Sequence, residues 1–197
     1  IPKALAARIS LDLFSHFEAK NSKRLSIPKG VVLGGALALL SSLPAVGQTT
    51  NAANTAELIT QINAANLDIN SGTIHLEQGT LYILTGTNLP SIADTATGGT
   101  LQIICTGTSN AIIDGAGTSR PLTMGIGSNL TLSKITIQNG TALRGGGIYN
   151  NQGDLTISNS LITDNEATGV VGTNGRGAGV YSTGNGGTAS VLIQNST

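Results

Sequence analysis

Asp114, in the stretch Ile112-Ile113-Asp114-Gly115-Ala116-Gly117, is the residue of this sequence best placed for acid–base chemistry. Hydrolysis of a glycosidic bond takes two carboxyl groups held at a fixed separation. A lyase instead needs a base to abstract a proton next to a uronate carboxylate, with carboxylates clustered to hold Ca²⁺. Asp-Gly-Ala-Gly is equally an ordinary turn, because Asp bonds its own backbone and Gly accepts positive φ. Asp154, Asp164 and Glu166 follow at spacings that force no two carboxylates together, and Arg120, Lys134, Arg144 and Arg176 read as scattered, non-equivalent cations. The single cysteine, Cys105, closes the strand-like run Leu101-Gln102-Ile103-Ile104-Cys105 and reads as a small buried residue. His75 lies in a different strand-like run and reads as an outward bystander, so no thiol–imidazole pair is expected. One cysteine also excludes an intramolecular disulfide. The glycine-rich segment 172–179 lacks the Lys-Ser/Thr of a phosphate loop and reads as a turn insertion. No catalytic residue, cofactor or metal site is assigned on this reading, and Asp114 stays as the candidate of an enzymatic alternative.

The ten basic and ten acidic side chains are sorted by position. Lys3, Arg8, Lys20, Lys23, Arg24 and Lys29 stand against Asp12 and Glu18 before residue 30, whereas four cations meet eight acids beyond it, a net charge of −4. That sign argues against a nucleic-acid partner. Lys23-Arg24 and Lys29 precede an apolar run at 31–40 and then Ala45-Val46-Gly47-Gln48, the pattern of a secretory signal peptide cleaved near Gly47/Gln48. The run is shorter than the roughly 20 residues of a bilayer span. Secretion or display at the cell surface is the expected location, with membrane association only through an unseen C-terminal anchor. Residues 1–22 are an unassigned upstream extension, and the chain reads as a fragment truncated within a repeat.

Residues 48–70 are expected to form an N-terminal capping segment containing one helix, 55–66. Asn54 or Thr55 caps it, Glu57 suits its first turn, and Leu58, Ile59, Ile62 and Ala65 recur at helical spacing. From 71 to 197 the sequence reads as short strands divided by Gly, Asn, Asp, Ser and Thr. Asn129–Gly140 aligns without a gap on Asp154–Asn165 at an offset of 25; Val191 matches Leu155 at 36, and Gly145–Asn150 matches Gly177–Ser182 at 32. Such units cannot bury both faces alone, but stacked copies share a core. The mature part has no Phe or Trp, so that core is expected to be narrow and built from Ile, Leu, Val and Ala. Within a repeat, Leu155 and Ile157 should face in and Thr156 out. Glycines 145–147 should turn corners at positive φ and allow close approach of the next copy. Asn159 and Asn165 are expected at turns, bonded to local backbone or stacked on equivalents. A threonine ladder that orders ice is disfavoured by the unequal offsets.

The helix "AELITQINAAN" (56–66), "AIIDGAGTSRPLTM" (111–124), "SNLTLSKITIQNG" (128–140), "GGGIYN" (145–150) and "LTISNSLITDN" (155–165) resemble bacterial secreted right-handed parallel β-helix repeat proteins. The repeat style is similar to that of polymorphic outer-membrane proteins and other autotransporter passengers. Where that family often has Arg-Glu-Ala in the helix, this sequence has Ile59-Thr60-Gln61. The resemblance implies an all-β, right-handed parallel β-helix (solenoid) with an N-terminal capping helix, acting as an adhesin-like scaffold without catalysis. Its partner would be a host or environmental glycan or protein surface, met at turns 140–146 and 166–177 and at Tyr149, Tyr181, Arg144 and Arg176. The alternative is a β-helix polysaccharide lyase or glycoside hydrolase whose active site lies in further coils.

Overall fold

The computed structural model describes residues 49–67, 71–93, 99–169, 175–184 and 186–197. The segments expected to be an upstream extension (1–22) and a signal peptide (23–47), and part of the glycine-rich segment 172–179, lie outside the described residues.

The chain is all-β with parallel sheets and a single described helix. A six-stranded sheet runs in the order β1 (Thr49–Ala52), β2 (Gly72–Leu76), β4 (Thr100–Cys105), β7 (Asn129–Ser133), β11 (Asp154–Ser158) and β15 (Ser190–Gln194). A second sheet orders β3 (Leu81–Ile83), β5 (Ala111–Asp114), β8 (Ile135–Gln138) and β12 (Leu161–Thr163). A third orders β6 (Leu122–Met124), β10 (Ile148–Asn151) and β14 (Val180–Thr183), and β9 (Thr141–Ala142) pairs with β13 (Glu166–Ala167) in a fourth. Every strand pair is parallel. From β7 onward the chain visits the first, second, fourth and third sheets, returns to the first at β11, and repeats the cycle to β15.

The register explains why unequal offsets are tolerated. Leu130 pairs with Leu155 and Leu155 with Val191, although the spacings are 25 and 36. Insertions are absorbed between strands, and the pleat keeps each apolar column on one side. Leu155 and Ile157 are buried with Thr156 on the other face, as the two-residue period requires. Ile103, Leu132 and Ile157 from the first sheet join Ile113 and Ile137 from the second and Leu122 and Ile148 from the third in one core cluster.

Tyr82 departs from the expected aliphatic core. It is fully buried, its hydroxyl donates to the Ala52 carbonyl at 2.5 Å and accepts from the Glu77 N–H, and both bonds satisfy the polar tip that burial would otherwise strand. β1 was not foreseen either. Thr49-Thr50-Asn51-Ala52 has no apolar alternation, yet it pairs with β2 from Thr49↔Thr73 to Ala52↔Leu76 and buries only Ala52.

The helix α1 (Thr55–Ala65) forms where the sequence places it. Asn54 caps it by accepting the Glu57 N–H, and the Glu57 carboxylate accepts in turn from the Ala53 N–H and the Asn54 amide. Leu58 and Ile62 are completely buried. Thr55 Oγ1 donates to the Ile83 carbonyl of β3, while Asn66 bonds the Ser91 carbonyl and the Ala93 N–H. Ile92 bridges Met124 of β6, and α1 packs on β1 and β2. The helix therefore meets the terminal strand or bridge of each of the three larger sheets.

Gly145 and Gly146 divide the two tasks expected of glycine. Gly145 has φ +59, matched by Gly177 at +61, and makes the corner. Gly146 allows close approach: a Cβ there would lie 2.3 Å from the Glu166 carbonyl oxygen.

Candidate binding face

Thr123, Tyr149 and Tyr181 align in register on the outward face of the third sheet, while Leu122 and Ile148 face the core. The two tyrosine rings stack with centroids 5.6 Å apart and planes at 24°. The Arg120 guanidinium lies over the Tyr149 ring at 5.0 Å, and that of Arg144 over Tyr181 at 5.7 Å. Each arginine thus reaches over the tyrosine of the following layer. Both spacings fall within cation–π range.

This arrangement corrects the reading of the arginines as scattered. Arg144 and Arg176 are bridge partners, and their spacing is the offset that relates Tyr149 to Tyr181. The sequence carried that signal in "RGGGIY" and "RGAGVY", since extending the glycine alignment by one residue brings the arginines together. Arg120 has a different role from the other two. Its Nε donates to the Gly145 carbonyl, one terminal nitrogen to the Arg144 carbonyl and the other to Thr123 Oγ1. Burial pulls its guanidinium below the ordinary arginine range, opposed by Tyr149. Arg120 is a clamp that fixes the backbone from which Arg144 projects. The 140–146 segment is more regular than a plain turn, because it contains β9, which pairs with β13 in the next layer. Positions 170–174 of the other expected contact segment lie outside the described residues.

The residues considered for chemistry are dispersed. Asp114 is 7% exposed, and its carboxylate accepts from the Gln138 and Asn139 amides at 2.7 and 2.9 Å and from the Ala116 N–H at 2.7 Å. Burial, the largest single influence, pushes its pKa up, but the bonds from Gln138, Ala116 and Asn139 together carry it below the ordinary aspartate value. A carboxylate so committed suits a turn anchor better than a proton acceptor. Asp154 aligns with Asn129 and accepts from Ser190 Oγ at 2.6 Å; Asp164 follows β12 and Glu166 lies in β13. Cys105 faces the core with its thiol donating to the Ser109 carbonyl at 3.3 Å, whereas His75 is on the opposite face of the same sheet, beside Ile104. Among the described residues no group of three or more His, Cys, Asp and Glu is gathered as a metal site. An open groove of about 750 Å³ at the β1 end of the first sheet, with Asn51, His75, Glu77 and Gln78 in its walls, was not foreseen. Its residues come from three separate stretches, which only the strand register joins.

The chain matches no family model, no curated protein and no solved structure.

Proposed function

We propose that the chain is a right-handed parallel β-helix, capped by α1, exported by the signal at 23–47 and displayed outside a bacterial cell as an adhesion or interaction scaffold. The observation that carries this reading is the aligned Tyr149–Tyr181 stack with its arginines, a repeated feature on an outward sheet face. The cyclic order of strands among the sheets supports the β-helix, and a cut after Gly47 leaves β1 whole. Helix α1 covers the end of the apolar core, as an end cap of stacked repeats must to prevent edge association. Recognition by such a scaffold is multivalent, each layer adding a weak contact to the next.

The test is a glycan-array and cell-binding assay of the secreted protein, run beside a polysaccharide-degradation screen with and without Ca²⁺. Binding without turnover is expected, and the N-terminus of the exported protein should be Gln48. Turnover overturns the scaffold reading in favour of a lyase or hydrolase, with Asp114 the first residue to replace.

A further inference from the structure

The side chains that give up an electron most readily in this sequence are three tyrosines, one methionine and one cysteine; it has no tryptophan. Met124 and Cys105 are buried in the core, away from an oxidant. Tyr82 is fully buried as well, and its hydroxyl is held between the Ala52 carbonyl and the Glu77 N–H. Of these residues only Tyr149 and Tyr181 are part exposed, and they are the pair that the fold stacks together. Their strands are parallel and in register, so both side chains leave one face of the third sheet about one strand spacing, ~4.8 Å, apart.

We infer that Tyr149 and Tyr181 are a site of oxidative cross-linking, at which a one-electron oxidant of the peroxidase class, fed by hydrogen peroxide, joins the two rings through a carbon–carbon bond. Each phenol gives up one electron and its hydroxyl proton, leaving a phenoxyl radical with spin on the oxygen and on the ring carbons beside it. One such carbon from each ring couples with the other. The hydrogen on each coupled carbon then moves to its oxygen, which restores both phenols. In sum, two C–H bonds are exchanged for one C–C bond, and the two electrons and two protons released reduce one peroxide to two waters. Coupling of two radicals is otherwise a bimolecular encounter, whereas rings held with centroids 5.6 Å apart meet within one molecule. The rings must turn from face contact to edge contact, a rotation that part-exposed side chains on a sheet surface can make. The product ties β10 to β14 and closes a loop between residues 149 and 181, the kind of covalent staple that a chain with one cysteine cannot make as an internal disulfide. The cross-link stands on the stack alone, whatever surface the protein meets.

The experiment treats the dilute 197-residue chain with a haem peroxidase and hydrogen peroxide, isolates the monomer, and maps its peptides by mass spectrometry. The monomer should gain blue dityrosine fluorescence, become lighter by two hydrogens, and yield a linked peptide pair that joins Tyr149 to Tyr181. Tyr149→Phe and Tyr181→Phe keep a ring in the stack without its phenol, and each should lower the monomer's fluorescence by about tenfold or more. A thermal melt unchanged from wild type establishes that each variant is folded, and the wild-type peptide map decides the site if one of them melts early. In native-state hydrogen exchange the amides of β14 should slow by about tenfold or more in the linked product. Linkage found only in dimers, a linked pair that uses Tyr82, fluorescence of the monomer that survives either folded variant, or a monomer left unlinked while free tyrosine couples in a parallel reaction overturns the site. A linked product whose β14 exchange is unchanged overturns the staple.

Discussion

Asp114 shows how a residue that looks chemical can be structural. Its carboxylate holds three donors across two neighbouring layers, so Asp114→Ala should cost about 1–3 kcal/mol in urea unfolding by stranding them. The pH dependence has a definite sign. The folded pKa is depressed, so this stabilisation is present above the ordinary aspartate value and is lost as pH falls through the lower folded value. Replacing Asp114 should therefore flatten that part of the acid limb of the stability profile. Ala116, two residues on, has φ +52, a conformation Ala adopts at a cost. Ala116→Gly keeps the N–H bond to Asp114 and should raise stability by up to about 1 kcal/mol in the same assay. The sequence marked Asp114 as a turn residue but not its partners, because Gln138 and Asn139 lie one repeat away and only register brings them near. Asn159 and Asn165 were legible as turn residues. Asn159 has φ +50, while Asn165 bonds the Gly140 N–H and the Ile137 carbonyl of the preceding layer. Asn150 was missed: its side chain is fully buried and bonds the Gly153 backbone and Ser182, a polar exception in a column that pattern alone reads as apolar.

At the scale of the element, α1 was the most legible part of the chain, because cap, first-turn acid and apolar spacing all agree with one another. Asn54→Ala removes the acceptor for the Glu57 N–H and should cost about 1 kcal/mol, measured as a lower urea midpoint. Asn54→Asp should restore most of it, since Asp caps equally well. The strands were legible where apolar residues alternate, as in β7 and β11, and less so where they do not. β1 forms because its backbone completes an edge of the first sheet beside α1, a tertiary cause with no local signature. β9 and β13 are two residues each and become strands only through pairing with one another. Arg144 and Arg176 share the local pattern "RGGGIY" and "RGAGVY", whereas Arg120 has no such pattern and joins them only through layering.

At the scale of the whole molecule the two ends of the six-stranded sheet differ. At the β1 end Leu58 and Ile62 of α1 are buried with the core. At the other edge, β15 continues the apolar columns of Leu155 and Ile157 with Val191 and Ile193, yet these are 37% and 53% exposed, against 1% and 0% for their neighbours in β11. Strands in such an array draw stability from the layer on each side, so an interior strand has two supporting interfaces and an edge strand one. Opening free energies should accordingly fall along the sheet instead of being uniform. In native-state hydrogen exchange of the 197-residue chain, amides of β4 and β7 that donate to a neighbouring strand should be the slowest, and those of β15 should exchange faster. The gradient separates layer-wise coupling from a single cooperative core. Ile103→Ala, which leaves a cavity in the interior, should lower global stability by about 2–5 kcal/mol and speed exchange throughout β2, β4 and β7. Val191→Ala, at a half-exposed site, should change exchange within β15 and leave β4 as it was. Uniform protection across the sheet, or a Val191→Ala effect that reaches β4, would show that the layers unfold as one unit and that the exposed edge has no separate stability.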